Sequence, residues 1–61
     1  MEQRSSARRR IMDAALTVFS ARGYTAAGVE EIAAAAGIKA PSLYKHFKNK
    51  RAIFDAILED M

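Results

Sequence analysis

The chain has 61 residues, with ten lysines and arginines against seven acids and a formal net charge of +3. It has no cysteine and a single histidine, which excludes a disulfide framework, a thiolate metal site and a multi-histidine metal site. No apolar run approaches the ~20 residues that span a bilayer, and the N-terminus lacks the apolar core of a signal peptide. A cytoplasmic protein is therefore predicted. No cofactor is expected.

Polar, arginine-rich residues precede the first predicted helix. Residues 1–7 have no periodicity and are predicted to form a flexible basic arm, with Ser5 or Ser6 as the helix cap. A helix over 7–22 follows, because apolar residues recur at the spacing of one buried helix face: Ile11, Met12, Ala15, Val18 and Phe19. Gly23 ends this helix.

The second predicted helix lies between Gly28 and Gly37. Its apolar residues fall within one narrow arc: Val29, Ile32, Ala33 and Ala36. Gly37 supplies the left-handed backbone conformation that ends a helix. Gly28 stands at the cap position without a side-chain oxygen, and Glu31 is placed to return a carboxylate to its N–H, which would complete half of a capping box.

A short third helix is predicted from Ala40 to about His46. Pro41 lies in its first turn, where a missing N–H costs nothing, whereas Lys39 is a poor cap residue. Leu43 and Phe47 face inward, and the outer and flanking positions hold Pro41, Ser42, Tyr44, Lys45 and His46. A helix of small residues that packs across a short helix with a polar, basic outer face is typical of a helix-turn-helix motif. The motif would cover residues 28–47, although other helical hairpins share this spacing.

The fourth predicted helix runs from Lys50 to the end of the chain, after a turn at Lys48-Asn49. Its apolar side chains span a wide arc of about 140° and are Ile53, Phe54, Ile57, Leu58 and Met61. Acids at its C-terminal end and the missing cap predict a helix that continues into a further segment.

Basic charge is concentrated in two segments. Residues 1–10 and 39–51 together carry +8, whereas the rest of the chain carries −5. Such segregation is typical of proteins that neutralise phosphates and favours DNA binding, since ordinary solvated lysines are scattered. The alternative is a small helical protein-interaction module that docks a partner on the wide face of the fourth helix. An enzyme is not expected, because no nucleophile–base pair or glycine-rich phosphate loop is present.

Several short motifs run through these helices: Gly23-Tyr24, Val29-Glu30-Glu31-Ile32-Ala33, Ala36-Gly37-Ile38 and Pro41-Ser42-Leu43-Tyr44-Lys45-His46-Phe47-Lys48-Asn49-Lys50. Together they resemble the N-terminal domain of the TetR (tetracycline repressor) family. The resemblance implies an all-α, three-helix, homeodomain-like DNA-binding domain over 8–48. It implies that 49–61 begins a helix leading to an absent ligand-binding domain, which forms a homodimer. It also implies a repressor released from palindromic operator DNA by a small molecule.

The resemblance further implies roles for individual residues. Tyr44 and His46 match residues that reach the phosphate backbone, and Lys50 matches a phosphate-binding lysine. The positions that face base edges in the major groove are occupied by Lys39, Ala40, Pro41, Ser42 and Lys45. From the residues alone there are alternatives: Tyr44 as a half-buried packing aromatic, His46 as a surface histidine without a partner, and the lysines as non-specific phosphate contacts.

Two positions depart from the family pattern. Gly28 stands where many relatives have a hydroxyl residue that contacts phosphate, so this contact is not expected here. Glu30 stands where some relatives place a base-reading arginine. A carboxylate there either repels phosphate or accepts a hydrogen bond from cytosine N4, and repulsion is expected.

Overall fold

The structure, a computed structural model, describes residues 6–61. Within this range the elements are helices only: α1 (Ala7–Arg22), α2 (Val29–Ala36), α3 (Ala40–Tyr44) and α4 (Lys50–Asp60). The all-α prediction is therefore confirmed. Most of the predicted arm over residues 1–7, together with the cap candidate Ser5, lies outside the described residues. No helix within 6–61 is long and apolar enough to cross a membrane.

Local signals in the sequence set the helix ends. The Ser6 hydroxyl accepts a hydrogen bond from the Arg9 N–H at 3.2 Å and caps α1. Gly37 has φ 78° and ψ 25°, a left-handed conformation that lets its N–H and the Ile38 N–H bond to the last carbonyls of α2. Glycine adopts this conformation without the steric penalty of a Cβ, so the turn between α2 and α3 is tight.

The core receives one large, fully buried side chain from each helix. These are Ile11, Ile32, Leu43 and Ile53, each with 0% of its surface exposed. Helix α1 packs against both α2 and α4, and α3 packs against α2. Phe47, just after α3, is also buried as predicted, whereas Phe19 and Val29 are only partly buried.

Helix α3 ends at Tyr44, two residues before the predicted end at His46. The Lys45 N–H bonds to the Ser42 carbonyl at 3.2 Å, and the His46 N–H bonds to the Leu43 carbonyl at 2.9 Å. Because these hydrogen bonds join residues three positions apart, the last turn of α3 is tighter than an α-helical turn, and His46 lies in the turn that follows the helix. Lys39 provides no side-chain hydrogen bond at the start of α3, as expected for a poor cap.

Asn49 caps α4, because its side-chain oxygen accepts a hydrogen bond from the Ala52 N–H at 2.8 Å. We expect Asn49→Ala to cost about 1 kcal/mol of unfolding free energy, which lowers the melting temperature by roughly 4–8 °C in a domain of this size. Asn49→Asp is the matched control, because aspartate caps helices as well as asparagine does. Equal melting temperatures for the two variants would contradict the capping role.

Candidate nucleic-acid interface

The α3 segment, residues 39–46, brings seven of the eight predicted contact residues onto one short stretch of surface. Half-exposed Ala40 lies among six exposed side chains: Lys39, Pro41, Ser42, Tyr44, Lys45 and His46. Leu43 holds the segment from beneath, since it is the only buried residue of α3. The polar face and the core-facing side therefore fall where the helical spacing predicted them.

Tyr44 lies outside the cluster of packed aromatic rings in residues 6–61. Its side chain is 52% exposed. The aromatic rings that pack together are those of Phe19, Tyr24 and Phe54, with centroids 5.1–5.9 Å apart. The explanation of Tyr44 as a half-buried packing aromatic therefore stays an alternative, and the exposed half of the side chain is accessible to an external group.

Ion pairs among the described residues lie away from the α3 segment. Arg9 pairs with Asp60 at 2.8 Å, and Arg51 pairs with Asp55 at 2.9 Å. A hydrogen bond to the partner carboxylate raises the pKa of each of these two arginines above its ordinary value.

Within residues 6–61, no acid lies within ion-pairing distance of Lys39, Lys45 or Lys48. Their positive charge is thus not compensated by any acid of the described residues. An exposed, uncompensated basic surface is suited to a polyanion.

Glu31 does not complete the capping box. Its carboxylate pairs with Arg22 and joins α2 to α1, and no side chain caps α2 at Gly28. Gly28 offers no hydroxyl for a phosphate either, in keeping with the departure noted at this position. Glu30 is exposed on the first turn of α2.

Two arginines from α1 support the motif in ways that sequence reasoning missed. The Arg8 guanidinium lies 5.4 Å from the centre of the Phe47 ring, which brings the start of α1 beside the turn after α3. The Arg10 side chain donates a hydrogen bond to the Ala36 carbonyl at 3.1 Å. The positive charge of Arg10 at the carbonyl end of α2 is favourable. Arg10 and Ala36 are 26 residues apart in the sequence, so no local sequence pattern predicts their contact.

Lys50 is the eighth predicted contact residue, and the structure directs it elsewhere. Its ammonium donates hydrogen bonds to carbonyls of the loop between α1 and α2, at Tyr24, Thr25 and Ala27. The phosphate contact at Lys50 stays a prediction from the resemblance alone.

Comparison with known proteins decides the family. Residues 11–57 match the family model described as bacterial regulatory proteins, tetR family. The chain belongs to the TetR family. It is a helix-turn-helix domain of transcriptional regulators, which supports the DNA-binding prediction over the alternative of a protein-interaction module.

Similar proteins include both activators and repressors of transcription. The TetR-family chain is 45% identical to the transcriptional activator FasR of Mycolicibacterium smegmatis, over 92% of its own length and 26% of that protein. It is 46% identical to the transcriptional repressor KstR2 of Rhodococcus jostii, over 90% of its length and 27% of that protein. It is 41% identical to the negative regulator IcaR of Staphylococcus aureus, over 75% of its length and 25% of that protein.

A solved structure supports the same assignment. The fatty acid degradation regulator FadR of Bacillus halodurans superposes with a TM-score of 0.89 and 30% sequence identity, covering 97% of this chain and 31% of that one. The TetR-family chain thus spans about a quarter of the length of the relatives that it matches and under a third of this structure.

Proposed function

We propose that this chain recognises operator DNA through α3, as part of a transcriptional repressor released by a small molecule. The observation that supports this function is the α3 segment, which is exposed, basic and free of ion pairs among the described residues. KstR2 and IcaR, which carry repressor names, are among the similar proteins. A regulatory role, and not a catalytic one, agrees with this family.

In this proposal α3 enters the major groove, and its side chains contact either base edges or the DNA backbone, according to the chemical groups they carry. Ser42, Lys45 and Lys39 reach base edges, because a hydroxyl accepts or donates a hydrogen bond and an ammonium donates to guanine O6 or N7. Ala40 and Pro41 contact a thymine methyl or the sugar. Two further side chains hydrogen-bond the phosphate backbone and fix the register of the domain: Tyr44 and His46. Lys50, at the start of α4, is a further proposed phosphate contact, and without DNA its ammonium donates to loop carbonyls.

The whole protein is proposed to act as a homodimer on a palindromic operator. Residues 8–48 form the reading domain, and 49–61 begin the helix that leads to a ligand-binding, dimerising domain outside this chain. Two helix-turn-helix units read half-sites about one DNA turn apart, and a two-fold dimer matches a palindrome. Since its target is bacterial operator DNA, we place the protein in the cytoplasm.

Selection from a random duplex pool tests this function. The 61-residue chain should enrich a defined sequence, and Ser42→Ala should change the preference at one base position by about fivefold, which corresponds to ~1 kcal/mol. Ser20→Ala is the matched control, because Ser20 is exposed on α1 and should leave the selected sequence unchanged. Failure to enrich any sequence above background at low salt would contradict sequence-specific binding.

A further inference from the structure

A side chain of α1 bonds to the turn between α2 and α3. Among the described residues no backbone N–H bonds to the Ala36 carbonyl oxygen, and Ala36 is buried. The Arg10 guanidinium donates a hydrogen bond to this oxygen at 3.1 Å. The same Nη2 lies 3.5 Å from the point where a Cβ on Gly37 would stand, so the guanidinium lies against the turn itself. Because a buried carbonyl without a donor is costly, Arg10 stabilises the turn that leads into α3.

A second arginine of α1 contacts the chain beyond the other end of α3. The Arg8 guanidinium lies 5.4 Å from the centre of the Phe47 ring, within the range of a cation–π contact. One of its nitrogens lies 3.4 Å from Sδ of Met12, a weak acceptor one turn along α1. Phe47 is buried and follows soon after Tyr44, the last residue of α3. Arg8 thus contacts the ring that fixes the chain after α3.

Helix α3 has little other support within the domain. It is five residues long, Leu43 is its only buried residue, and it packs mainly on α2. A helix this short is not held in place by its own backbone hydrogen bonds. A tilt of α3 about Leu43 would move the side chains proposed to read bases relative to those proposed to bind phosphate. Contacts at both ends of α3 restrict such a tilt.

We propose that Arg8 and Arg10 are positioning residues, which fix the orientation of α3 from both ends and thereby its discrimination between operator and other DNA. Arg10 acts through the turn before α3, and Arg8 acts through Phe47 after it. The consequence for DNA reading rests on the proposed function. The effect on the two turns is a property of the protein alone and is measurable without DNA.

Arg9 lies between these two residues and supplies a matched control. It has the same side chain on the same helix, but its guanidinium pairs with Asp60 of α4 at 2.8 Å. The test compares Arg8→Met, Arg9→Met and Arg10→Met in the 61-residue chain. Each variant loses one positive charge from the start of α1 and keeps an unbranched side chain. All three arginines are exposed and lie outside the core, so the variants should fold.

Amide hydrogen exchange without DNA, followed by NMR, measures the stability of the two turns. The Gly37 and Ile38 N–H groups bond to carbonyls of α2, and the Phe47 N–H bonds to the Leu43 carbonyl. Relative to Arg9→Met, the Arg10→Met variant should exchange the Gly37 and Ile38 amides about fivefold faster, since one hydrogen bond is lost. Arg8→Met should exchange the Phe47 amide about threefold faster, as loss of a cation–π contact implies.

Binding to the selected operator sequence and to an unrelated duplex gives the second measurement. The ratio of the two affinities should fall about fivefold in Arg8→Met and in Arg10→Met, because misplaced side chains lose part of a base contact. It should keep the wild-type value in Arg9→Met. A direct phosphate contact by Arg8 or Arg10 would instead weaken binding to both duplexes alike and lower the salt slope by ~1 relative to Arg9→Met.

Arg10→Lys is the conservative variant that tests rescue. It keeps a cation and N–H donors near the carbonyl end of α2, so it should restore part of the protection that Arg10→Met loses. Equal exchange of the turn amides in all three methionine variants would overturn the proposal, as would exchange in Arg10→Lys as fast as in Arg10→Met. Failure of the wild type to prefer any DNA sequence would refute the proposed function and leave the exchange comparison valid.

Discussion

Leu43→Ala should unfold a large part of the protein population, with a loss of about 2–5 kcal/mol in the free energy of unfolding. Leu43 is 0% exposed and is the only buried residue of α3, so it holds this five-residue helix on the core. A 61-residue domain has a total stability of roughly 3–9 kcal/mol, which is comparable with the expected loss. Thermal or urea unfolding followed by circular dichroism measures the change.

Leu16→Ala is the matched control for this experiment. It removes the same atoms from a side chain that is 50% exposed, and its effect should stay within about 0.5 kcal/mol. Lys45→Ala should leave the melting temperature nearly unchanged and weaken binding to duplex DNA, because Lys45 is exposed on the opposite face. Equal destabilisation by Leu43→Ala and Lys45→Ala would show that the faces of α3 are wrongly assigned.

Two copies of the chain joined in one polypeptide should bind a palindromic operator about 10²–10⁴ times more tightly than a single copy. The second binding event becomes intramolecular when both half-sites are within reach. A Gly/Ser linker of about 30 residues has a root-mean-square length of ~30 Å, close to the ~34 Å between half-sites one DNA turn apart. Fluorescence anisotropy with the selected sequence, at fixed salt, measures both affinities.

The same duplex with one half-site scrambled is the control for the joined copies. There the gain over a single copy should fall to a few-fold, because only non-specific contacts remain for the second copy. The single copy should sediment as a monomer at micromolar concentration without DNA. Equal affinity of the joined copies for both duplexes would contradict the palindrome, and a stable dimer of the single chain would contradict dimerisation through a second domain.

Most of the fold was predictable because its signals are local. Ser6, Gly37 and Pro41 occupy positions whose backbone requirements are set within one helical turn, so the helix limits follow from neighbouring residues. The spacing of Leu43 and Phe47 likewise identified the buried side of α3. Asn49 carried a recognisable cap signal as well, but the sequence there was interpreted only as a turn.

The position of the candidate interface in the chain was predictable, because the residues that a short helix exposes follow from its local periodicity and do not depend on distant residues. Its end was less predictable. Whether α3 continues to His46 depends on competition between hydrogen bonds that join residues three and four positions apart, and the Lys45 and His46 N–H groups make the tighter, three-position bonds. The DNA contacts assigned to the individual residues of α3 stay predictions.

The sequence by itself determined the four helices, their inward faces and the family, since each depends on residues a few positions apart. Only the tertiary structure decided where the long cationic side chains point. Arg9 meets Asp60 across 51 positions, Arg10 meets the Ala36 carbonyl across 26, and Lys50 reaches back to the loop at Tyr24. Such side chains extend for several ångströms with many rotamers of similar energy, so their partners are fixed by which helix ends and loop carbonyls the packed core brings within reach.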